Sequence, residues 1–139
     1  MTKGSGKYTP PRVFVLDSEA LSLAVRGDRM MIARLDLATR GEAEVVTSPM
    51  TLVEAYDGRT TEQRWDWVLS RVGVATVGKE EARQARRLLA DAALHGHKYA
   101  IDAVLAVIAR QQKGQVTVFT SDVDDLERLL PETVTVKKV

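Results

Sequence analysis

Five short runs rich in β-branched residues, at 12–16 (RVFVL), 43–48 (AEVVTS), 72–77 (VGVATV), 115–121 (QVTVFTS) and 133–138 (TVTVKK), are each separated from the next by helical periodicity. That alternation restricts the fold more than any other feature. Strands joined through helices cannot pair as tight hairpins, and a crossover helix returns each strand parallel to its neighbour. The intervening segments are SEALSLAV, DRMMIARLDLATRG closed by a glycine, PMTLVEAY with proline in its first turn after Ser48, and TEQRWDWVLSR. KEEARQARRLLADAALH, KYAIDAVLAVIAR and DVDDLERLL follow, with GHK at 96–98 read as a loop before the second of these. The expected architecture is a three-layer α/β/α sandwich around a mostly parallel sheet of about five strands.

The chain of 139 residues is one domain's worth, read as a flexible tail over 1–11 and a single domain over 12–139. Twenty basic against nineteen acidic side chains leave a formal charge of +1, so any nucleic-acid contact is a local patch rather than a global basic footprint. The absence of cysteine excludes disulfides, thiolate metal sites and thiol nucleophiles, and fits a cytoplasmic protein. The longest apolar run, AVLAVIA, is far too short to span a bilayer, so no membrane association is expected. The GSGK of the tail lacks the spaced first glycine, the following Ser or Thr and the preceding strand of a phosphate loop.

One residue stands out against this apolar background. In KYAIDAVLAVIAR the apolar side chains run nearly all round the helix, yet Asp102 sits among them. An unpaired buried carboxylate is costly, so something compensates this aspartate or uses it. Ligand sites in open parallel sheets form beyond the carboxyl ends of the strands. Asp17 follows the first strand directly, Asp122 follows the fourth, and Glu54 and Asp102 lie in helices close to the same edge. Taken singly, Asp17 or Asp122 reads as a helix cap, Asp102 as a partner of a helix dipole and Glu54 as a surface charge. Four carboxylates in one concavity repel one another unless a cation neutralises them, and an all-oxygen set suits Mg²⁺ or Mn²⁺.

The stretches VFVLDSEAL, SPMTLVEAY, YAIDAVLAVIA and VFTSDVDDLERL, in this order and spacing, resemble the PIN-domain nucleases, in particular the VapC-type toxins of bacterial toxin–antitoxin pairs. The resemblance runs from about Arg12 to the end of the chain. It implies a Mg²⁺- or Mn²⁺-dependent endoribonuclease with Asp17, Glu54, Asp102 and Asp122 as catalytic and metal-binding residues. It further implies Thr120 and Ser121 as the hydroxyls beside the last aspartate, and Asp125 as an additional acid. RNA substrate, a cognate antitoxin and a homodimer are the implied partners. Glu19 departs from the small residue the family commonly carries two places after the first aspartate.

Lys98, Arg26 and Arg29 are the candidate substrate-phosphate contacts, with Arg59 beside them. His95 and His97 read as packing and solvation residues rather than ligands of a hard-oxygen site. Trp65 shares a helix face with Val68, Leu69 and Val72, which leaves Trp67 on the other face as a partner contact or a half-covered indole. Two other readings compete. A receiver-type phosphoacceptor domain wants an aspartate after the third strand, which here ends VGK. A non-catalytic PIN-like protein- or nucleic-acid-binding module keeps the fold and uses the acids as caps and surface charges.

Overall fold

The computed structural model describes residues 9–139; the GSGK stretch and most of the expected tail lie outside them. Twelve elements follow in the order β1 (Arg12–Leu16), α1 (Ser18–Val25), α2 (Arg29–Thr39), β2 (Ala43–Thr47), α3 (Pro49–Glu54), α4 (Glu62–Leu69), β3 (Gly73–Val74), α5 (Lys79–Ala92), α6 (Gly96–Gln111), β4 (Gln115–Thr120), α7 (Val123–Glu127) and β5 (Thr135–Lys138). The strands form one sheet in the order β3-β2-β1-β4-β5. Every pairing in it is parallel.

Alternation along β1 divides the interior. Phe14 and Leu16 face a core built with α1, α2 and α4, including Leu21, Met31, Leu35, Trp65 and Val68. Val13 and Val15 face the opposite side, where Leu105 and Ala109 of α6 and Leu126 of α7 pack on Val116 and Val118 of β4. Helix α5 packs on α6, with Ala85 and Leu89 in one cluster with Ala103, Ala106 and Val107. The small alanines of α6 let the two helices approach while its large side chains fill the layer beneath. Three layers result, and the sheet between them reads as near-continuous apolar strands because both of its faces are covered.

Two sequence expectations change at the level of local structure. The expected strand at 72–77 contracts to Gly73–Val74, an edge strand paired on one side only. Short edge strands offer little unpaired backbone to other chains. The expected loop GHK is instead the first turn of α6, which His95 precedes as the cap residue. Helix α5 ends at Ala93 in the left-handed region (φ 56), so only Leu94 and His95 remain to start the next helix. Just before β1, the Gln115 N–H donates to the Pro11 carbonyl at 2.8 Å. Gly114 turns into that contact at φ +100, where a Cβ would lie 2.2 Å from the Pro11 oxygen. Glycine is required there.

Candidate active site

Chain order runs outward from β1 through β2 to β3, then returns to place β4 on the other side of β1. The switch point therefore lies between β1 and β4, where the loops leaving the two strands diverge and open a crevice. Leu16 pairs with Phe119 in register, so Asp17 and Ser121–Asp122 leave the sheet together. A cleft of about 320 Å³ lies there, lined by Asp17, Glu54, Asp102, Asp122 and Asp125 together with Thr51, Lys98 and Tyr99.

Each carboxylate is delivered by a different local device. Asp17 is 6% exposed and caps α1: its Oδ1 accepts from Ala20 N at 2.8 Å, while Oδ2 accepts from Ser121 N at 3.0 Å. The helix-cap role that the sequence allows is thus filled, and the same side chain ties β1 to β4. Burial pushes its carboxyl above the ordinary carboxylate range, against the bonds from Ala20, Thr120 and Ser121 that pull it down. Asp122 stands at the cap position of α7 but makes no capping bond, which leaves its carboxylate to the cleft. Its backbone N–H is held instead by Thr120 Oγ1 at 2.8 Å. Asp125 follows one turn later on α7, and Lys98, Tyr99, Ile101, Asp102 and Leu105 bring one face of α6 to the opposite wall. Glu54 ends α3, whose first turn is capped by Ser48 Oγ at 2.9 Å from Met50 N.

Carboxylate oxygens of Asp102, Asp122 and Asp125 lie within 4.8 Å of one another. The tightest group therefore contains Asp125, which the resemblance makes an additional acid, while Asp17 and Glu54 line the same cleft around it. Among the described residues no salt bridge reaches any of these side chains. Burial first, then the charges of Asp122, Asp125, Asp17 and Glu54, push the Asp102 carboxyl up to about 6. A hard divalent cation fits this donor set: all ligand atoms are oxygens, those of Asp102, Asp122 and Asp125 are close enough to share one ion, and no salt bridge among the described residues offsets their charge.

The basic candidates separate. Lys98 stands on the cleft wall, with its Nζ 5.1 Å from the Tyr99 ring centroid. Arg26 lines a different cleft with Asp57, Arg59 and Arg64, and is held by Glu19 at 3.1 Å and Ser22 at 2.7 Å. Glu19 is accordingly an ion-pair partner of Arg26. Arg29 is exposed at the start of α2 and lines neither cleft. His95 and His97 are exposed outside the acidic cleft. Trp65 is buried, whereas Trp67 is 39% exposed and carries the Arg71 guanidinium 4.0 Å over its ring. Sequence reasoning missed three residues near the acids. Thr51 and Tyr99 line the cleft, and Lys138 of β5 donates to the Ser121 carbonyl at 2.9 Å beside Asp122. Only Thr51 carried a usable signal, three places before Glu54 on a helix.

The architecture has solved counterparts. A chain of the crystal structure of VapBC2 from Rickettsia felis, bound to a DNA fragment from their promoter, superposes with a TM-score of 0.64 at 13% identity, over 91% of this chain and 98% of that one. A chain of VapBC-1 from nontypeable Haemophilus influenzae superposes with a TM-score of 0.57 at 14% identity, over 91% and 97%. No family model and no curated protein matches the sequence. The chain has a three-layer α/β/α fold with an all-parallel sheet, shared with chains of these two VapBC assemblies.

Proposed function

We propose that this protein is a metal-dependent endoribonuclease that hydrolyses RNA phosphodiesters with Mg²⁺ or Mn²⁺, and that it is the toxin of a VapC-type pair. The observation that carries this reading is the meeting of five carboxylates from β1, α3, α6 and the β4–α7 junction in one cleft with a single lysine. The fold likeness to chains of two VapBC assemblies supports it.

In this reading residues 12–139 form one nuclease domain that works in the cytoplasm. Asp102, Asp122 and Asp125 would hold the cation, with Asp17 and Glu54 completing the shell directly or through water. When bound, the cation supplies Lewis-acid stabilisation of the phosphodiester and a nucleophile at neutral pH. Ser121 N fixes the Asp17 carboxylate, and Thr120 Oγ1 fixes the backbone that presents Asp122. Glu54, exposed at the end of α3 and lining the same cleft, would accept the proton of the attacking water where it does not itself bind the cation. Lys98 holds a substrate phosphate at the cleft, while Arg26 and Arg29 meet phosphates farther along the strand. Met50, Val53, Tyr56 and Trp67 are exposed, and supply apolar surface for an antitoxin helix or a second copy.

Cleavage of a panel of structured RNAs by the pure protein with Mg²⁺, Mn²⁺ or EDTA, beside Asp17→Asn and Asp102→Asn, tests the reading. Metal-dependent cleavage that both variants lose is the expected result. Equal silence of all three proteins, with no carboxylate-dependent Mn²⁺ uptake in calorimetry, overturns it in favour of a binding module.

A further inference from the structure

Thr51 is fully buried in α3, and its Oγ1 has no hydrogen-bond partner among the described residues. This is unusual for a helical threonine, whose hydroxyl normally bonds the carbonyl three or four residues back. It is also costly, because a buried hydroxyl left unpaired loses its bonds to water without replacement. The residue lines the acidic cleft, one helical turn before Glu54 on the same face of α3. It offers a neutral donor where every other protein oxygen provided by a side chain of the acidic set accepts only.

We propose that Thr51 is a positioning residue of the acidic cleft: its hydroxyl hydrogen-bonds a water in the shell of the divalent cation held by the carboxylates, and so fixes how that hydrated ion sits. This rests on the metal-dependent reading given above. A hydrated Mg²⁺ or Mn²⁺ retains several waters when a few carboxylates bind it, and each water donates outward to an acceptor. The Thr51 oxygen would accept such a bond and so gain the partner it lacks among the described residues. Outer-shell contacts of this kind are typically worth about ten- to a hundredfold in metal affinity.

The test uses three full-length proteins: wild type, Thr51→Val, which deletes the hydroxyl at nearly constant shape, and Thr51→Ser, which keeps it. Mn²⁺ alone is titrated by calorimetry, and melting temperatures are recorded in EDTA. The proposal expects Mn²⁺ affinity to fall about tenfold or more in Thr51→Val and to stay within about threefold of wild type in Thr51→Ser. It expects the EDTA melting temperature of Thr51→Val to equal or exceed that of wild type, since an unpaired hydroxyl has been removed. A lower melting temperature makes the hydroxyl structural and overturns the proposal. So does unchanged Mn²⁺ affinity in Thr51→Val while wild type binds the ion, an outcome that leaves the metal-site reading intact. If wild type itself takes up no Mn²⁺, both fall together.

Discussion

The cleft at the ends of β1 and β4 and the cleft lined by Arg26, Asp57, Arg59 and Arg64 differ in what surrounds their charges. In the arginine cleft each guanidinium is already engaged. Arg26 meets Glu19 at 3.1 Å, Arg59 meets Asp57 at 3.4 Å, and Arg64 Nε donates to the Val25 carbonyl at 3.1 Å. In the acidic cleft the carboxylates face one another, and Asp102 is pushed up to about 6 by burial and by its acidic neighbours. Like charges gathered without a salt-bridge partner lower stability, and a bound cation would offset that cost. Charge satisfied within the fold has a sufficient structural explanation; charge left facing itself does not.

The largest expected effect separates the clefts by activity. Asp102→Asn and Asp122→Asn reduce RNA cleavage about a hundredfold or more, because losing cation-borne charge stabilisation costs several kcal/mol at the transition state. Arg59→Ala stays within about threefold, because its exposed pair with Asp57 contributes little and lies outside the acidic cleft. Single-turnover cleavage rates measure both, and equal losses would erase the distinction between the two clefts. Next comes stability in the opposite direction. Arg64→Ala loses the bond to Val25 and lowers unfolding free energy by about 1 kcal/mol in urea titrations while cleavage persists.

A pH series sharpens the comparison further. Burial and its acidic neighbours raise the Asp102 carboxyl from the ordinary aspartate value of 3.8 to about 6, so between those values the metal-free folded state binds more protons than the unfolded one. Its contribution to stability is fully present below pH 3.8 and is lost as pH rises through about 6. In EDTA, wild type is therefore expected to lose more melting temperature than Asp102→Asn between about pH 5 and pH 7. Identical pH dependence in the two proteins would remove the electrostatic strain assigned to this cleft. The smallest effect concerns RNA contact. Lys98→Ala is expected to reduce the salt slope of RNA binding by about 0.7, one phosphate on a single strand. Arg26→Ala, already paired with Glu19, is expected to change that slope less.

Most of the architecture was readable because periodicity reports burial, and burial is what the sheet and helices have in common. Phe14 and Leu16 alternate with Val13 and Val15 so regularly that β1 could only be a strand covered on both faces. The third strand was overread, because VGVATV has β-rich composition but only Gly73 and Val74 find partners, on β2. The start of α6 was missed for the converse reason. Gly96 is a poor helix former, and the left-handed Ala93 that ends α5 so close by has no marker in the sequence. At the site, strand ends identified Asp17 and Asp122 as neighbours across a long stretch of chain. Which acids approach most closely depends on the turn of α7, a short helix that brings Asp125 back over Asp122, and no spacing rule fixes that in advance.

The bond from Ser121 N to Asp17 Oδ2 joins residues 104 positions apart. Because β1 is flanked by β2 and β4, its second neighbour is synthesised only after α6. A chain still being translated can therefore pair β1 with β2 and bury one face, but it has no crevice between β1 and β4 and no acidic cleft. Site assembly waits for the last elements to emerge, as long-range pairings do in folding generally. The acidic cleft is thus a property of the finished chain, absent from any N-terminal part of it that stops short of β4.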